Sequence, residues 1–243
     1  MIGQTVKPTY FRPGTVHEDD GTTHARPAPA GSQQEEWILV DGTPASCVQI
    51  GLYHFFQDKG PIDLVVSGPN YGRNSTAVFS LSSGTLGGAL EAAVCKKKAI
   101  AISYAFFSRN HDPEIIAGAS KRSVQLIDYL YKNWDDNVDL YSVNVPLVED
   151  VENRKVLWTN MLQNYWGPKS CFEEVDDEED NDEREESIRK QEDSAASANS
   201  THQSSGHKHK HFKWSPRFTD VYKSVEEAGP GNDGWAVKEG YTR

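Results

Sequence analysis

The chain of 243 residues leaves room for one large domain, or one domain with an attached tail, and excludes both a peptide-sized scaffold and a long repeat array. With 37% apolar, 10% aromatic and 25% charged residues it can build a packed core, while a mean hydropathy of -0.66 places part of it outside that core. The net charge of -11 belongs largely to one segment: residues 173–193 hold 13 Asp/Glu against 3 Lys/Arg, leaving 23 acids and 22 bases elsewhere.

A near-neutral remainder argues against a broadly basic nucleic-acid surface, which needs clustered Lys/Arg to neutralise phosphates. The longest apolar stretch, residues 99–107, is too short to span a bilayer. The start, Met1-Ile2-Gly3-Gln4-Thr5, lacks the basic and apolar regions of a secretory signal. Cys47, Cys95 and Cys171 are odd in number and without metal-ligand spacing, so they read as reduced thiols. A cytoplasmic location is the expectation, and the Asn74 and Asn199 sequons are then chance matches.

In chain order, residues 1–36 carry Pro8, Pro13, Pro27 and Pro29 and predict an irregular segment with one weak strand at residues 6–11. Trp37-Ile38-Leu39-Val40 predicts a strand. Thr43-Pro44 supplies an N-cap with proline at the first helical position, and Cys47, Ile50, Gly51, His54 and Phe55 follow at helical spacing. His54 reads as a packed histidine rather than a base. Ile62-Asp63-Leu64-Val65-Val66-Ser67 predicts a second strand, followed by a polar loop to Ser82. A helix beginning near Ser83 or Gly84 carries Leu86, Ala89, Leu90, Ala93 and Val94 on one face.

Ala99-Ile100-Ala101-Ile102-Ser103 predicts a third, almost wholly apolar strand. Asp112-Pro113 repeats the cap-then-proline signal ahead of a long helix, and Leu140-Tyr141-Ser142-Val143-Asn144-Val145 closes the series as a fourth strand. Short apolar strands alternating with helices predict an α/β fold: a mostly parallel sheet with helices on both faces. The core is expected over residues 37–167, with a further strand at residues 155–159. Residues 168–212 are acidic, Ser-rich and then His/Lys-rich, a composition that predicts a disordered insertion. His207, His209 and His211 sit among lysines there and read as a solvated run rather than a metal site. Residues 213–243 are expected to rejoin the same domain.

In an open parallel sheet ligands bind beyond the carboxyl ends of the strands. The most informative loop reads Ser67-Gly68-Pro69-Asn70-Tyr71-Gly72-Arg73-Asn74-Ser75-Thr76 and enters a helix at Ser83-Gly84-Thr85. Hydroxyls and free N–H groups at a helix start make a seat for a phosphate. Asn70 and Asn74 offer carboxamide oxygens to a hard cation or N–H groups to a phosphate. On spacing alone, a plain turn over residues 68–74 with Ser83 as an ordinary N-cap is an equally good reading. No Gly-x-Gly-x-x-Gly loop and no Gly-Lys-Ser/Thr loop is present.

The block from Asp63 through Asn74, then Ser83-Gly84-Thr85-Leu86-Gly87-Gly88-Ala89, then Ala99 to Ser103, resembles the centre of the SurE-like survival-protein family of metal-dependent phosphatases and nucleotidases. Asp41-Gly42-Thr43-Pro44-Ala45-Ser46-Cys47, Val143-Asn144-Val145-Pro146 and the stretch from Asn232 to Tyr241 are similar as well. The Ser-Gly-Pro-Asn form and the acidic insertion look most like the fungal versions, in which a tubulin-tyrosine-ligase-like domain follows. The resemblance implies a Rossmann-like domain that hydrolyses phosphate monoesters of nucleotides with a divalent metal, Mg²⁺ or Mn²⁺. It implies Asn70 as a metal ligand, Asn74 as the catalytic residue facing the phosphate, and Ser83, Gly84 and Thr85 as the phosphate-binding helix start. It also implies a homodimer.

One departure counts against full activity. Family members open with a strand running into Asn-Asp-Asp-Gly, whose acids bind the metal, and this sequence has no such motif. Glu18-Asp19-Asp20-Gly21 follows no strand and stands too close to Asp41 to replace it. Ile2-Gly3-Gln4-Thr5-Val6 instead resembles a part that follows a Ser-bearing loop of the family. The expectation is therefore an N-terminally truncated domain that binds its metal weakly, either an impaired enzyme or a non-catalytic interaction module.

Overall fold

The structure is a computed structural model that describes residues 5–14, 21–108, 111–169, 171–175 and 210–243. It contains two compact units, Met1–Asn164 with Val225–Arg243, and Tyr165–Ser224.

The first unit is built on a parallel sheet of β4 (Leu64–Tyr71), β5 (Lys98–Ala105) and β6 (Leu140–Pro146), in that spatial order. β5 is central and buried along nearly its whole length, which is why its sequence is a continuous apolar run rather than an alternation. Its two faces nonetheless differ. Ala99 and Ala101 pack against Leu86, Ala89 and Ala92 of α3 (Gly84–Val94), small against small, so that helix approaches closely. Ile100, Ile102 and Tyr104 face the other way, onto Ala119 and Leu130 of α4 (Pro113–Lys132) and onto Val143 and Val145 of β6. The expected α/β sheet with helices on both faces is present.

α1 (Pro44–Ile50) begins as predicted, with the Thr43 hydroxyl accepting from the Ser46 N–H, and passes into a wider helical turn over Gly51–Phe55. α4 is capped by Asp112, whose Oδ1 accepts from the N–H groups of Glu114 and Ile115. The expected result of Asp112→Ala is a loss of about 1 kcal/mol, seen as a lower urea midpoint at unchanged slope, with Asp112→Asn keeping most of it.

Several expectations are corrected. The weak strand expected at residues 6–11 is present as β1 (Thr9–Arg12), but it does not stand alone: β2 (Thr22–His24), which was not expected, pairs with it antiparallel in the order β2-β1-β3 with β3 (Trp37–Leu39). Trp37-Ile38-Leu39 therefore belongs to a small separate sheet, fixed by the Arg12–Glu36 ion pair at 2.8 Å and by Phe11 against Trp37. A run of three residues with Trp37 and Leu39 largely exposed buries only one face, which suits such a sheet. The polar stretch after Ser67 is not one loop either. β4 runs on to Tyr71 after a register shift beside the cis Gly68–Pro69 peptide, and α2 (Thr76–Leu81) forms before α3. The strand expected at residues 155–159 is reduced to isolated bridges, Val156 with Thr242 and Asn160 with Asn232.

The second unit holds β7 (Phe172–Val175) paired antiparallel with β8 (His211–Trp214), so the two ends of the expected insertion are joined as a ladder. Trp166, Trp214 and Tyr222 gather around Phe218. Most of that insertion, with His207 and His209, lies outside the described residues. α5 (Phe218–Ala228) and α6 (Asp233–Lys238) complete the chain. Among the described residues no helix is long and apolar enough to cross a membrane.

Candidate active site

The parallel register places Asn70 of β4 opposite Ser103 of β5, and Ser103 opposite Asn144 of β6. These three polar residues form one row across the carboxyl end of the sheet. Asn74 closes onto the row from the segment after β4. Its Nδ2 donates to Ser103 Oγ at 2.7 Å, and its main-chain N–H donates to Asn144 Oδ1 at 2.8 Å. Its carbonyl accepts from Ser80 Oγ and from Arg243 Nη2, both at 2.8 Å. Ser103 and Asn144 are fully buried and Asn74 nearly so, which makes this a satisfied interior network that specifies one arrangement of the chain.

Asn70 is only partly buried. Its Nδ2 donates to the Gly72 carbonyl at 2.9 Å, which fixes the carboxamide and leaves Oδ1 as the atom available to a ligand. Asn70 and Asn74 are thus brought to one place, but in different states: Asn70 offers an oxygen at the surface, whereas Asn74 spends its Nδ2 and its main-chain groups on the network.

Ser83 caps α3, its Oγ accepting from the Leu86 N–H at 3.2 Å. The hydroxyl proton of Ser83 and the N–H groups of Gly84 and Thr85 face no acceptor of the helix, as at any helix start. Two glycines bring this end close to its neighbours. A methyl at Gly84 would stand 3.1 Å from Pro44 Cγ, and one at Gly88 only 2.7 Å from Ser67 Oγ. The starts of α1 and α3 therefore meet beside β4, where their dipoles favour an anion.

Behind the row lies a second layer that the sequence reading did not assign. Asp233 is completely buried; its Oδ2 accepts from the Thr76 N–H at 2.7 Å and its Oδ1 from the N–H groups of Leu162 and Gly234 at 2.9 and 2.8 Å. Arg243 lies 3.4 Å from the same carboxylate, its side chain 7% exposed. Burial pushes the guanidinium pKa below its ordinary value, and the Asp233 charge acts in the opposite direction. Thr76 is held at φ +66°, a left-handed conformation that is costly for a β-branched residue and is imposed here by the Asp233 contact. Ser103 and Asn144 were findable in principle, as polar residues inside apolar strands at the ligand-binding end of a parallel sheet. Over the same end Tyr71 stacks on Phe106 at 4.6 Å and on His111 at 4.8 Å.

A tight Mg²⁺ or Mn²⁺ site needs several oxygen ligands, with carboxylates among them. Asn70 Oδ1 is a neutral donor, and Asp233 is committed to three N–H groups and an arginine. Among the described residues no group of three or more His, Cys, Asp or Glu side chains could hold a metal ion. The described donor set does not fit a divalent cation on its own. Asp19 and Asp20 lie outside the described residues.

Comparison with known proteins agrees with this architecture. The family described as "Survival protein SurE" matches residues 5–168. A Saccharomyces cerevisiae protein named "Probable tubulin--tyrosine ligase PBY1" is 51% identical over 137 residues, 55% of this chain and 18% of that protein. The 5'-nucleotidase SurE of Ruegeria pomeroyi is 38% identical over 155 residues, 61% of this chain and 57% of the relative. The chain thus spans well under two thirds of the length of these relatives. The crystal structure of the SurE protein from Aquifex aeolicus shares the fold, with a TM-score of 0.52 and 23% identity over 85% of this chain and 67% of its own.

Proposed function

The chain belongs to the SurE survival-protein family, and on that premise we propose that it binds the phosphate of a nucleotide or similar phosphate monoester at the carboxyl end of β4. The observation that carries this is the row of Asn70, Ser103 and Asn144, locked by Asn74, beside the opening turn of α3. Relatives bearing the name 5'-nucleotidase support the substrate class and hydrolysis as the reaction. In this reading Gly84 and Thr85 N–H groups and the Ser83 hydroxyl hold the phosphoryl oxygens. Asn70 Oδ1 offers a carboxamide oxygen to the site, and Asn74 acts as a positioning residue that keeps the row in register.

The family's divalent metal is a poor match to the described donors, so hydrolysis by this chain is weak, and a binding module beside a ligase-like domain is the second reading. The yeast relative's name supports that reading. The expected result is p-nitrophenyl phosphate and AMP turnover near the enzyme-free rate with millimolar Mn²⁺, together with AMP-dependent shifts of the Gly84 and Thr85 amide resonances. Fast Mn²⁺-dependent turnover abolished by Asn70→Ala would overturn the impairment. AMP binding that leaves those two amides unmoved would overturn the phosphate seat.

A further inference from the structure

The last two residues of β4 belong to opposite faces of the sheet. Asn70 pairs with Ser103, which by alternation shares the α3 side with Ala99 and Ala101. Tyr71 pairs with Tyr104, whose side chain packs with the α4 side of the core. Gly72 braces both branches: its carbonyl accepts from Asn70 Nδ2 at 2.9 Å, and its N–H donates to the Tyr104 carbonyl at 2.9 Å. A ligand that crosses the end of this strand therefore meets Asn70 on one side and Tyr71 on the other.

Tyr71 is the shared member of three near-parallel rings. Phe106 stacks on it at 4.6 Å with planes 16° apart, and His111 at 4.8 Å with planes 19° apart. Tyr71 is 40% exposed, Phe106 is half-buried and His111 is exposed. Phe107 beside them is 48% exposed, and the Arg73 guanidinium lies 5.5 Å from its ring centre. Arg73 is held there by its Nη2, which donates to the Phe106 carbonyl at 3.2 Å. Neither apolar core cluster includes Tyr71, Phe106 or Phe107. Exposed aromatic rings gathered around an arginine, at the end of a parallel sheet where ligands bind, form a contact surface rather than part of the core.

We propose that Tyr71, Phe106, Phe107, His111 and Arg73 form a base subsite, against which the flat ring of a nucleotide lies while its phosphate rests at the start of α3. The inference rests on the phosphate seat described above and narrows its substrate class. A sugar phosphate or another aliphatic phosphate monoester has no flat ring to lay on this surface. A purine or pyrimidine has one, and the planar guanidinium of Arg73 offers a further stacking plane. Because every base presents a π-face, stacking of this kind selects for a base without strongly selecting which.

The test titrates AMP, adenosine and ribose 5-phosphate into the chain and follows by NMR the rings of Tyr71 and Phe106 and the amides of Gly84 and Thr85. The expected result is that AMP binds about tenfold more tightly than ribose 5-phosphate, with ring shifts from AMP and adenosine but none from ribose 5-phosphate. Tyr71→Leu should abolish the preference for AMP over ribose 5-phosphate, and Tyr71→Phe should keep it. His111→Asn, an exchange suited to a residue at φ +49°, should reduce the preference and leaves the sheet residues as they are. Equal affinity for AMP and ribose 5-phosphate would overturn the proposal, as would rings unmoved by AMP. The phosphate seat fails separately. Rings that move with AMP and adenosine while Gly84 and Thr85 stay still would support the base subsite and remove the seat, and moving amides beside silent rings would do the reverse.

Discussion

Asp233→Ala is expected to lower stability by about 3–5 kcal/mol, the largest effect of any single substitution in the candidate site. The carboxylate is wholly buried and holds three main-chain N–H groups, from Thr76, Leu162 and Gly234, that have no water to turn to. Its removal also leaves the Arg243 guanidinium, 3.4 Å away and 7% exposed, without a counter-charge. An unpaired buried charge and orphaned donors are both costly, far beyond the value of an exposed ion pair. Asp233→Asn keeps the shape and one acceptor, so an intermediate loss is expected. In Asp233→Ala with Arg243→Leu the losses should be less than additive, because the second change removes the charge that the first one strands. Urea denaturation followed by circular dichroism measures all three; a loss below about 1 kcal/mol for Asp233→Ala would remove this carboxylate from the centre of the site.

The second large effect is expected at Gly68. Its φ is +117°, and a methyl group there would be driven into the main-chain carbonyl of Ile102 in the neighbouring strand. A side-chain neighbour could rotate away, but this carbonyl belongs to the buried central strand and cannot. Gly68→Ala should therefore cost about 3 kcal/mol or more, combining backbone strain with a displaced β4. Gly60→Ala is the control: φ is +95° but no atom lies within 4 Å of the added methyl, so only the strain of about 1–2 kcal/mol is expected. The difference between the two variants isolates the clash. Since β4 delivers Asn70, Gly68→Ala should also erase AMP-dependent shifts at Gly84 and Thr85, while Gly60→Ala leaves them. Equal losses in the two variants would show that β4 and β5 are not pressed together at this point.

Helices α1, α3 and α4 and the three parallel strands were legible because their signals are local. Thr43-Pro44, Ser83-Gly84 and Asp112-Pro113 mark helix starts by side-chain chemistry alone, and all three hydroxyl or carboxylate caps are made. Ala99-Ile100-Ala101-Ile102 could only be a strand buried on both faces. What stayed hidden depends on partners distant in sequence. Trp37-Ile38-Leu39 gives no sign that it pairs with Thr9, Tyr10 and Phe11 rather than with the parallel strands. In the site, Asn70, Asn74 and the Ser83-Gly84-Thr85 turn were picked out from their loop and from a family likeness, which implied Asn70 as a metal ligand and Asn74 as facing the phosphate but could not show Asn74 Nδ2 donating to Ser103. Asp233 looked like one acid in a turn; its three N–H partners come from residues that no local pattern connects.

The network behind the row also sets an order of events in time. The Thr76–Asp233 bond joins residues 157 positions apart and the Asn74–Arg243 bond residues 169 apart. Contacts of such separation form late, because most of the chain must be gathered before they can reward its closure. On a ribosome, α1, α3, α4 and the three parallel strands can assemble as they emerge, while Asn74 has its Ser103 and Asn144 partners but lacks its arginine. The left-handed turn at Thr76 has no reason to exist until Asp233 arrives. The ligand-binding end of the sheet is thus completed only when the segment from Asn232 to Arg243 docks, and a nascent chain halted before it carries the fold without a finished site.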